Sequence, residues 1–86
     1  MIQNWSSHMI TVSQVRAARG LIGWSQTQLA AACGMSLPTI KRFETGTGAK
    51  VSAEAVKAMQ TALETAGVIF VPENGEGPGV RLKKGY

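Results

Sequence analysis

The sequence has no aspartate, one histidine and one cysteine in 86 residues. Catalysis by paired carboxylates, and metal binding by His, Cys, Asp and Glu clusters, need groups that this chain hardly has. With Cys33 alone, neither an intramolecular disulfide nor a multi-cysteine zinc site can form. A lone thiol agrees with a reducing, cytoplasmic setting. No apolar run approaches the roughly 20 residues of a membrane span. Residues 1–9 lack both the basic start and the apolar block of a signal peptide. The glycine-rich stretch at 75–79 does not open a helix after a strand, so it is not a phosphate loop. The chain is accordingly read as a non-enzyme with no catalytic residues, no cofactor, no metal and no membrane partner.

Acids are scarce too: five face nine Lys and Arg, for a net charge of +4. The excess is local. Residues 10–51 hold Arg16, Arg19, Lys41, Arg42 and Lys50 against Glu44 alone, and the remainder of the chain cancels. A positive field confined to one half suits a polyanionic partner, although a merely solvated basic surface would look the same.

What the chain does have is repeated punctuation. Serine opens and glycine closes four segments: Ser13 to Gly23, Ser25 to Gly34, Ser36 to Gly46 and Ser52 to Gly67. A serine hydroxyl accepts from an N–H that the first helical turn leaves unpaired. A glycine just past the last turn adopts the left-handed conformation that ends a helix. Ser25 with Gln28 spells a capping box, and Trp24/Leu29, Met35/Ile40 and Val51/Val56 stand at the spacing of a hydrophobic staple.

Apolar residues at three- and four-residue spacing give each helix one buried stripe. These are Val15, Ala18 and Ile22; Leu29, Ala30 and Cys33; Ile40 and Phe43; and Val56, Met59, Leu63 and Ala66. Cys33 thus reads as a small buried hydrophobe. Residues 1–9 read as a disordered lead, or as an upstream extension with Met9 as the natural start. His8 has nothing nearby to partner it. The end of the chain predicts a β-hairpin, strands 68–71 and 80–83 around an eight-residue loop with Asn74-Gly75 as its turn. A lone hairpin is marginal in water. It must lie on the helices, gain a strand from a second chain, or stay partly disordered. The predicted organisation is a lead over 1–9, a helical domain over 10–66 and a tail over 67–86 that is a candidate dimerisation element.

The second and third helices are separated only by residues 34–36. A connection this short makes two helices cross steeply, with a small residue (Ala30) at the contact and glycine (Gly34) at the corner. The stretch SQTQLAAACGMSLPTIKRFETG, residues 25–46, resembles the helix-turn-helix of the phage-repressor, or Xre-like, regulators. The matching positions are Gln26, Ala30, Gly34, Ile40, Phe43, Glu44 and Gly46, with Arg19 in helix one as the basic partner of Glu44. The tail PENGEGPGVRLKK is similar to the ending of short bacterial regulators of this group.

The resemblance implies a mostly α fold, a four-helix repressor-like helix-turn-helix domain with a C-terminal β-hairpin. It implies sequence-specific binding of double-stranded DNA, with helix three in the major groove. The base-facing set is then Ser36, Leu37, Pro38, Thr39 and Arg42, with Lys41 alongside, and a positive helix N-terminus near phosphates. Arg42 suits guanine and Thr39 a hydrogen bond or a thymine methyl. Leu37 and Pro38 offer apolar contact only, which leaves part of the readout to DNA shape. Gln26, Thr45, Thr47 and Lys50 are the phosphate-contacting set, Lys50 being otherwise a solvated loop lysine. Arg19 and Glu44 form a structural ion pair. Arg16 meets either DNA or solvent, and Lys83 and Lys84 either solvent or a phosphate.

The expected role is transcription regulation, as a repressor acting as a homodimer on a palindromic operator. An antitoxin that binds its own promoter and a toxin is the alternative. A protein–protein adaptor, for instance towards polymerase, is a further one.

Overall fold

The computed structural model describes residues 9–45 and 51–86. Four helices are followed by two strands: α1 Val12–Ile22, α2 Gln26–Cys33, α3 Leu37–Glu44, α4 Ala53–Thr65, β1 Val68–Val71 and β2 Gly79–Leu82. The fold is mostly helical with a C-terminal antiparallel hairpin, as the sequence predicts.

Every helix opens on a hydroxyl that accepts from the backbone N–H three residues on. For α2, α3 and α4 these are Ser25, Ser36 and Ser52. For α1 the cap is Thr11, two residues earlier than the predicted Ser13. The Thr11 hydroxyl accepts from Gln14 N–H at 3.0 Å, and the Gln14 side-chain Oε1 accepts from Thr11 N–H at 2.8 Å. This reciprocal box satisfies two donors at once, whereas Ser13 sits inside the first turn. Ile10 before the cap and Val15 are both buried, so α1 repeats the apolar pairing of the other three helices.

Gly23 and Gly34 close α1 and α2 in the left-handed conformation. Thr45 follows α3 in a right-handed one, and the predicted stop at Gly46 lies outside the described residues.

The core is built from all four helices: Val15, Leu29, Ile40, Met59 and Leu63 are fully buried. Ile10 and Val68 extend it at either flank. Ile22, Cys33 and Ala66 are only half-buried, at the rim of the stripes predicted for them. Cys33 is therefore not the enclosed core residue expected, but burial still pushes its thiol pKa up.

The hairpin lies on its own helices, β2 against α1 and β1 against α4. Its register pairs Val68 with Leu82 and Val71 with Gly79. The second strand thus begins one residue earlier than the predicted 80–83, because Gly79 completes the pair with Val71. Phe70 and Val80 pack against the core, while Ile69 and its partner Arg81 are exposed. Gln14 fixes the hairpin to α1: its side-chain amide donates to the carbonyls of Gly79 at 2.9 Å and Val71 at 3.3 Å. Gly67 leads into β1 at φ +107, and the Tyr86 ring covers it so closely that any side chain there would collide.

Candidate nucleic-acid interface

The corner between α2 and α3 is made by Gly34 at φ +72, a conformation that only glycine adopts at little cost. Met35 N–H then reaches back to Ala30 carbonyl at 2.9 Å. Ala30 is buried beneath the corner, where a larger side chain would hold the helices apart.

α3 is strongly two-faced. Ile40, Phe43 and Glu44 turn inward; Ser36, Pro38, Lys41, Arg42 and Thr45 are exposed, with Leu37 and Thr39 half-buried at the leading end. The helix that the sequence assigns to the groove is therefore open to solvent along one face. Arg42 and Lys41 have no hydrogen-bond or ion-pair partner for their side chains among the described residues.

Its leading end differs in one respect from a general anion-binding helix start. Pro38 has no N–H, and Thr39 N–H is already directed at Ser36, at 3.3 Å to the hydroxyl and 3.1 Å to the carbonyl. Of the first three amides, only that of Leu37 is left unused by the cap among the described residues. The Ser36 and Thr39 hydroxyls lie 2.8 Å apart. One proton lies between them and the other remains to donate.

Behind α3 is a shared ion pair. Arg19 donates to Glu44 through Nε at 2.8 Å and Nη2 at 2.7 Å, and its Nη1 donates to Trp24 carbonyl at 2.9 Å. The Glu44 side chain is only 4% exposed. Burial alone would raise its pKa. The hydrogen bonds from Arg19 and Gln26, and the charges of Arg19 and Arg16, outweigh burial and hold the carboxyl below its ordinary range. The hydrogen bond to Glu44 likewise raises the Arg19 pKa.

Gln26 is engaged with the same carboxylate, its amide donating to Glu44 Oε1 at 3.2 Å. The side chain read from sequence as a phosphate contact thus has an internal partner, a link between two helices that no periodicity signals. The Thr45 hydroxyl donates to Arg42 carbonyl at 2.9 Å. Thr47 and Lys50 lie outside the described residues.

A cleft of about 520 Å³ opens beside this network, lined by Arg16, Arg19, Gln26, Lys41, Glu44 and Thr45. A larger groove of about 710 Å³ between α2 and α4 contains no residue of α3. Among the described residues no cluster of three metal-ligating side chains occurs, and no helix is long and apolar enough to cross a membrane.

Two helices joined at a tight glycine corner, the second carrying an exposed basic face, define a DNA-binding type of domain. The model of the helix-turn-helix domain matches residues 12–68, well over half of the 86, and the chain belongs to that family. Membership points to DNA as a partner and to a regulatory role. No curated protein matches the chain.

Proposed function

We propose that the protein is a sequence-specific transcriptional regulator of the phage-repressor, Xre-like type, a repressor that binds a palindromic operator as a homodimer. The observation that carries this reading is the exposed face of α3, where Arg42 and Lys41 have no side-chain partner among the described residues and stand over a fully packed inner face. Arg42 has the fork geometry for O6 and N7 of guanine. Pro38 and Leu37 supply apolar contact to thymine methyls, and the Ser36–Thr39 hydroxyl pair supplies one hydrogen-bond donor. Thr45, Thr47, Lys50 and the start of α2 at Gln26 serve the phosphates in this reading.

Selection of bound fragments from a random duplex library tests the reading. The expected product is a pair of inverted half-sites about one helical turn, roughly 34 Å, apart. Recovery of unenriched sequence at physiological salt would refute specific readout, and a single unpaired half-site would refute the dimer.

A further inference from the structure

The cleft beside the Arg19–Glu44 pair carries charge that the pair itself does not use. Its inner acid is spent. Glu44 Oε1 accepts from Arg19 and Gln26, Oε2 accepts from Arg19, and the side chain is only 4% exposed. Arg19 and Glu44 cancel each other. What remains in the lining is Arg16 from α1 and Lys41 from α3, both exposed and without a side-chain partner among the described residues. Arg16 is near enough for its charge to help keep Glu44 ionised. Two unspent cations from different helices thus line one concave space together with a neutralised ion pair, and that space is large enough for a phosphodiester group. A structural purpose for the two cations would need an acid to pair with, and the one acid lining the cleft is committed elsewhere.

We infer that this cleft seats one backbone phosphate of the bound duplex, clamped between Arg16 and Lys41. The inference rests on the proposed DNA-binding function and deepens it. It assigns Lys41 to the backbone rather than to the bases, and brings α1 into the interface. A phosphate held from α1 and α3 together fixes the rotation of α3 in the groove, since a single contact leaves that angle free. The neutralised acid matters as much as the two cations: with Glu44 bare, the acid would repel the phosphate, so the Arg19 pair makes the seat usable.

The test is titration of the full chain with fluorescent duplexes over a series of salt concentrations. The variants are Arg16→Gln, Lys41→Gln and the double variant, with Lys57→Gln on α4 as control. One neutralised phosphate contributes about 0.9 to the slope of log affinity against log salt. If both side chains share one phosphate, the double variant loses about 0.9 and no more than that. The loss is the same on cognate and random duplexes, base preferences stay as in the wild type, and melting temperatures are unchanged because both side chains are exposed.

A slope unchanged relative to Lys57→Gln would overturn the clamp. So would a loss of about 1.8 in the double variant, which would mean two separate phosphates, and so would a base preference altered by Lys41→Gln. In each of those cases DNA binding itself would stand. Failure of the wild-type chain to bind any duplex would instead overturn the functional reading, and the clamp with it.

Discussion

Glu44 ties three helices together through one carboxylate. Its carboxylate joins α1 through Arg19 and α2 through Gln26 while it sits on α3 itself, so one side chain sets the mutual placement of three helices. Removing one partner of a buried pair leaves the other charge poorly solvated. Arg19 keeps some water access at 19% exposure, so Glu44→Gln is expected to cost about 2 kcal/mol at pH 7, read from urea unfolding. The pH dependence follows from the lowered carboxyl pKa. A carboxylate whose folded pKa lies below its unfolded one stabilises fully above the unfolded value of about 4.3 and loses that contribution as pH falls through the folded value. Wild-type stability should therefore carry an acid-side decline, below about pH 4.5, that Glu44→Gln lacks. Parallel pH profiles for the two proteins would remove Glu44 from this role. Of this network the sequence revealed the Arg19–Glu44 pair, through the family pattern. The Gln26 link was not legible, because a glutamine at a helix start reads equally as solvent-facing.

At the scale of elements, the four caps tell a consistent story about what local sequence encodes. Three serines, each preceded by an apolar residue and followed four positions on by another, were readable because cap and staple agree. The same grammar is written over residues 10–15, as Ile10, Thr11, Gln14 and Val15, but Ser13 inside it competes as an apparent opener. The box decides in favour of Thr11. The hairpin was legible in composition and off by one residue in its second strand, since register depends on partners rather than on local pattern. What no local rule could give is Gln14, whose amide spans 57 and 65 positions of sequence to reach Val71 and Gly79. Gln14→Ala breaks the α1 capping box and leaves two carbonyls without that donor. The expected loss is about 2–3 kcal/mol, measured by urea unfolding. Hydrogen exchange should show the hairpin amides less protected than those of α2. A loss below about 0.5 kcal/mol would mean that apolar packing alone holds the hairpin.

At the scale of the whole molecule, the described residues form one packed unit in which the tail belongs to the core. Val68 is 2% exposed, so deleting residues 68–86 would unfold the domain rather than probe assembly. The proposed dimer is better tested at Ile69, which is 41% exposed on the outer face of β1, a strand with no charge or proline to guard its edge. Ile69→Ser is expected to shift sedimentation equilibrium to the monomer while the chain stays folded by circular dichroism. A dimer that survives the substitution would move the interface elsewhere. The larger claim is that the exposed face of α3 reads bases. It is tested most directly by comparing wild-type and Arg42→Ala affinities across duplexes substituted one base pair at a time. Arg42→Ala should cost roughly 1–3 kcal/mol on the selected site and abolish discrimination at a single guanine-containing pair, leaving the other positions as before. An equal loss on every duplex, with discrimination intact at all positions, would contradict it.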